Sequence, residues 1–163
     1  MEELNGLYFI DKDGICQGVI EKSIFNRMTH KYVIGFQKPN ASYGIQTMDS
    51  KSYIDFLSYA KLKSDRYKII KDKNIQHIYH FSPIENTESI LKFGLLSQEF
   101  AEAIDIKDEI KTPDELRLDG KLDDISASIS FPNYKMRYRL ESQDHLKLVI
   151  YDINPRILLT RLD

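Results

Sequence analysis

Ile78-Tyr79-His80-Phe81-Ser82-Pro83-Ile84-Glu85-Asn86-Thr87-Glu88-Ser89-Ile90-Leu91-Lys92-Phe93-Gly94-Leu95-Leu96 reads as a short strand, a turn, one amphipathic helix and a glycine stop. Side chains alternate across a strand. The pattern therefore puts Ile78, His80 and Ser82 on one face and His77, Tyr79 and Phe81 on the other. Asn86 and the acids Glu85 and Glu88 suit the start of a helix, where side chains cap free amides and negative charge meets the positive end of the dipole. Ile90, Leu91 and Phe93 supply an apolar stripe, and Gly94 ends it.

Downstream, residues 100–104 read as a helical turn. Residues 105–124 are charged and irregular, and a loop of that length inside a compact domain is usually functional or mobile. It contains a short helix that Thr112 and Asp114 are placed to cap. Residues 125–131 form a strand with small polar residues at alternate positions. Tyr134–Arg139 continues as strand or helix, and residues 146–153 are the clearest strand in the chain. Asn154-Pro155 opens a further element.

Upstream, Leu7–Ile10, the turn Asp11-Lys12-Asp13-Gly14, and residues 15–20 predict a hairpin. Two more strands cover residues 31–36 and 43–48. Asp49 and Ser50 are both good caps for a helix whose Tyr53, Ile54, Phe56, Leu57, Ala60 and Leu62 share a face. Residues 1–74 are thus expected to form a small α+β module of unassigned role, and residues 75–163 a second domain. Lys61–Asn74 is the most basic stretch. It reads as a solvated helix end and linker, with a phosphate-contacting strip around Tyr67 as the alternative. Asp11-Lys12-Asp13-Gly14 lacks the later ligands of a calcium loop, so no metal is expected there.

The 163 residues carry a net charge of -2, which does not by itself point to nucleic acid, although a local basic groove would not show in that sum. The single cysteine, Cys16, allows neither an internal disulfide nor a multi-cysteine zinc site, and fits a reducing compartment. No signal peptide and no membrane-length apolar run is visible, so a cytoplasmic protein is expected. Ten tyrosines without a tryptophan suit half-buried strand positions, with a minority available for stacking on a flat ligand. GxGxxG, P-loop, HExxH and nucleophile-elbow motifs are missing from the sequence.

Two segments resemble a known family. His80-Phe81-Ser82-Pro83-Ile84-Glu85-Asn86, running through Ile90-Leu91 to Gly94-Leu95-Leu96, is similar to the opening motif of the DarT-type ADP-ribosyltransferases. Ser126-Ala127-Ser128-Ile129-Ser130-Phe131-Pro132-Asn133-Tyr134-Lys135-Met136 is similar to a second segment of such proteins. The resemblance covers roughly residues 76–158. It implies an ADP-ribosyltransferase-like split antiparallel sheet, incomplete at its C-terminal side, that clasps NAD as substrate. It further implies transfer of ADP-ribose to thymidine in single-stranded DNA, in a toxin or phage-defence role, with a macrodomain antitoxin as partner. No membrane or metal partner is implied.

Carried over residue by residue, the resemblance makes His80 the holder of the NAD ribose and Ser82 and Asn86 its neighbouring cofactor contacts. Arg117 matches the catalytic arginine, and Tyr134 falls near the nicotinamide side. The family's catalytic glutamate lies beyond the strand matching residues 146–153. Glu141, which precedes that strand, is a poor substitute. The expectation is therefore a truncated domain, or an inactive relative that binds nucleic acid or a protein partner.

Overall fold

The computed structural model describes residues 4–106, 110–111, 122–142 and 145–160. The fold is α+β, with two antiparallel sheets of four and three strands. Packing divides the chain into two units. One runs up to Gln76 and takes in the segment that starts at Pro155; the other is His77–Asn154. The single cut expected after residue 74 is thus replaced by a nested arrangement, with the second unit inserted in the first.

The first unit is a meander of β1 (Tyr8–Ile10), β2 (Cys16–Asn26), β3 (Lys31–Gln37) and β4 (Tyr43–Met48), followed by α1 (Ser50–Asp72). Phe9, Ile20, Ile34 and Phe36 face Tyr53 and Ala60 of α1 and form the core with Leu4. Gly44 lies opposite Phe36 because the ring needs the room: a Cβ there would stand 2.3 Å from Phe36 Cε2. The predicted turn is present. Gly14 has φ 72, and Asp11 Oδ1 accepts from the amides of Asp13 and Ile15, both at 2.9 Å.

Asp49 caps α1 by accepting from the Ser52 amide at 2.7 Å. The helix runs nine residues beyond the expected end near residue 63 and stops at Asn74 (φ 50). There the Asn74 and Ile75 amides bond the Lys71 and Ile70 carbonyls, as in a Schellman motif. The basic stretch is therefore helix, not linker, and much of it serves the first unit. Lys63 Nζ donates to the Asp11 carbonyl at 3.4 Å, Arg66 donates to the Leu158 carbonyl at 3.0 Å, and Tyr67 packs edge-on against Tyr8. Pro155 and Leu159 are buried in this unit, and α5 (Ile157–Thr160) lies against Gly14, where a Cβ would stand 2.9 Å from the Arg156 carbonyl.

The second unit holds β5 (Ile78–Pro83), a single 3-10 turn (Ile84–Asn86), α2 (Thr87–Phe93), α3 (Gln98–Ala103), β6 (Ser128–Ile129), α4 (Tyr134–Ser142) and β7 (Leu148–Ile153). Its sheet has the order β6-β5-β7, with β5 central. The strand expected over residues 125–131 pairs only at Ser128 and Ile129, because Ser130 takes φ 66 and turns the chain away. Tyr134–Arg139, left open between strand and helix, is helical. No helix among the described residues is long and apolar enough to cross a membrane.

Candidate functional site

The alternation expected on β5 is realised through its register with β7. His80 pairs with Tyr151 and Ser82 with Val149, so these four share a face. Tyr79 pairs with Asp152 on the other face, where His77 Nδ1 meets Asp152 Oδ2 at 2.8 Å and stacks on Tyr79 at 5.6 Å. His77 and Asp152 are about half exposed, so this pair is a surface contact of small energetic weight.

On the first face, residues of β5, the 3-10 turn and α2 border a small cleft. His80, Ser82 and Asn86 line it together with Ser89 and Ile90 of α2, the Gly94–Leu96 stop and Ile110. The sequence-predicted trio is therefore brought together. The cleft's volume is about 50 Å³, room for a water molecule or two rather than for a dinucleotide.

His80 Nδ1 lies 2.8 Å from the Ser126 carbonyl. A carbonyl only accepts, so Nδ1 carries the proton, and in the neutral ring Nε2 keeps its lone pair. Burial pushes the His80 pKa below 6.5, partly offset by the bond to Ser126. A neutral ring with an acceptor nitrogen is what a ligand hydroxyl needs.

Asn86 does something different from the expected cofactor contact. It is only 3% exposed. Its amide nitrogen donates to Ser82 Oγ at 2.9 Å and to the Lys111 carbonyl at 2.8 Å, and its oxygen accepts from the Lys111 amide at 2.8 Å. It makes no side-chain cap to α2. Its polar atoms clasp residue 111 to the strand, and Lys111 Nζ adds a 2.7 Å bond to Glu85, which holds that carboxyl below its usual range. Ser82 accepts from Asn86 and has no acceptor for its own proton among the described residues, which leaves that proton as a donor.

Tyr134 opens α4, is 63% exposed and does not line the cleft. Arg117 lies outside the described residues. Glu141 sits on α4, paired with Arg137 at 2.9 Å. Sequence reasoning missed Ser126, whose carbonyl sets the His80 tautomer, and the Tyr151–Thr87 bond (3.2 Å) that ties β7 to α2. A backbone carbonyl leaves no side-chain signature, and neither contact is legible without the strand register. Among the described residues, no three His, Cys, Asp or Glu side chains are grouped to hold a metal ion.

No family model matches this sequence, and no curated protein does.

Proposed function

We propose that the His77–Asn154 unit holds the ribose end of NAD as part of a DarT-like ADP-ribosyltransferase acting on nucleic acid, with thymidine in single-stranded DNA as the acceptor. The observation that carries this reading is the convergence of His80, Ser82 and Asn86 on one cleft, with His80 held neutral and its Nε2 lone pair available. His80 Nε2 accepts from one ribose hydroxyl and Ser82 Oγ donates to another. Asn86 supports the cleft wall rather than touching the ligand. Fixing the ribose in this way favours departure of nicotinamide by orientation rather than by proton transfer.

A second reading is favoured by a specific observation. In the transfer, the bond from ribose to nicotinamide breaks, nicotinamide leaves as a neutral amide, and the ribose carbon bonds to the nucleobase. The base loses a proton, which an acceptor must take. No carboxylate among the described residues lines the cleft. The described residues alone thus support a binding module for NAD or a nucleoside, without transfer.

Incubation with labelled NAD and a thymidine-containing oligonucleotide tests the first reading, with saturation-transfer NMR reporting binding separately. Label on the oligonucleotide that disappears in His80→Ala supports transfer. NAD binding without transfer, again lost in His80→Ala, supports the binding reading. NAD binding that His80→Ala leaves unchanged overturns both.

A further inference from the structure

The three most exposed aromatic side chains among the described residues stand together at α4. Phe131 is 71%, Tyr134 63% and Tyr138 71% exposed. Asn133 sets the helix up: its Oδ1 accepts from the Met136 amide at 3.2 Å, and its carbonyl accepts from the Arg137 amide at 2.9 Å. Helical spacing then decides what faces out. Leu140 is fully buried and anchors the inner side. Tyr134 and Tyr138, one turn apart, share the outer side, and Lys135 and Arg139 form the row beside them. Phe131 precedes the helix and adds a third exposed ring at its start.

The charge around these rings is of one sign. Residues 125–140 include Lys135, Arg137 and Arg139 and no acid, in a chain whose net charge is -2. Arg137 is engaged with Glu141 of its own helix at 2.9 Å. Lys135 and Arg139 are exposed, and neither takes a hydrogen bond or ion pair among the described residues. None of the three rings packs on another ring or under a cation there either. Open ring faces beside uncommitted cations suit a single strand, whose every base has a π-face to stack and whose phosphates meet the positive charge. A duplex hides its base faces. A lipid surface asks for a continuous apolar face, whereas here Leu140 is turned inward and Met136 is half-buried.

We propose that the outer face of α4 holds single-stranded nucleic acid, with bases on Phe131, Tyr134 and Tyr138 and phosphates on Lys135 and Arg139. None of these five residues lines the His80 cleft, and the proposal does not rest on the reading of that cleft. The rings lie along a helix rather than in a pocket, so base identity should matter little.

The test is fluorescence anisotropy of a labelled oligothymidylate of about 15 nucleotides with the full chain. NAD is left out, so the outcome is independent of the His80 cleft. Binding is expected, with the duplex of equal length bound more weakly. Tyr134→Leu with Tyr138→Leu keeps apolar bulk but removes two ring faces; it should weaken binding at least about tenfold and leave the melting curve unchanged. Lys135→Gln with Arg139→Gln should weaken binding and lower the slope of log affinity against log salt by about 1.4. No anisotropy change at about 100 μM protein would overturn the proposal. So would tighter binding of the duplex, unchanged affinity in the Tyr→Leu pair, or binding to phosphatidylserine vesicles with none to the oligonucleotide.

Discussion

Asn86→Ala should release the clasp on residue 111. The wild-type side chain makes three hydrogen bonds, two with the Lys111 backbone and one with Ser82. At about 1 kcal/mol for each bond, the loss comes to about 3 kcal/mol for the second unit, more if the Lys111 amide stays buried without a partner. Asn86→Ser should fare little better, because a hydroxymethyl group is too short to bridge both Lys111 atoms. That variant separates the clasp from a helix cap, which serine would serve well. Asn86→Asp keeps an acceptor for the Lys111 amide but sets an oxygen against the Lys111 carbonyl. Burial would raise the folded-state pKa of the new carboxyl, so its penalty should be largest above the usual carboxylate range and shrink as pH falls. The assay is urea denaturation together with hydrogen exchange at the Lys111 amide. A loss below about 1 kcal/mol with unchanged protection of that amide would refute the reasoning, as would full retention of stability in Asn86→Ser.

Four further outcomes are expected. Gly18 has φ 153, and a Cβ there would lie 2.2 Å from the Gln37 carbonyl oxygen. Gly18→Ala should cost on the order of 3 kcal/mol. At Gly35 the obstacle is the tip of the exposed Tyr43 ring, which can swing aside, so Gly35→Ala should cost about 1 kcal/mol or less by urea midpoint. His80 has a folded-state pKa lowered from 6.5. As pH falls through that unfolded value, the unfolded chain takes up a proton that the folded one refuses, so stability drops. His80→Asn should flatten the pH dependence of the urea midpoint just below that point, and an unchanged slope would count against a buried neutral ring. Leu159 is 2% exposed, and Leu159→Ala should destabilise by about 2–3 kcal/mol. Hydrogen exchange should place that loss in β1, β2 and α1 and spare β5; equal loss in β5 would argue against a nested first unit.

Local chemistry makes most elements legible in the sequence. Strand alternation placed His80 and Ser82 on one face, the Asp11–Gly14 turn followed from its glycine, and Gly94 marked the end of α2. What stayed hidden depends on distant pairing. α1 outruns its apolar stripe because Ser64 bonds the Tyr8 amide at 3.0 Å and Arg66 bonds the Leu158 carbonyl, polar ties that no hydrophobic period reveals. The return of the chain at Pro155 to the first unit leaves no mark on composition. From the sequence, Asn86 suits a cap or a ligand contact because both are local roles. Its partner lies twenty-five residues further on, and nothing in the sequence names it.

The nested topology bears directly on the proton acceptor that transfer would require. After β7 the chain enters α5, which packs in the first unit, so the described residues following β7 add nothing to the second unit's sheet. Among the described residues of the second unit, three carboxylates are already engaged. Glu85 is bonded to Lys111, Glu141 to Arg137, and Asp152 to His77 on the opposite face of the sheet. Releasing Glu85 would sacrifice part of the bonding at residue 111. Drawing on Asp152 would require β7 to slip by one residue and invert its faces, which would also move Tyr151 from beside His80 and break its bond to Thr87. The pairing and register that shape the cleft thus keep these three carboxylates out of it.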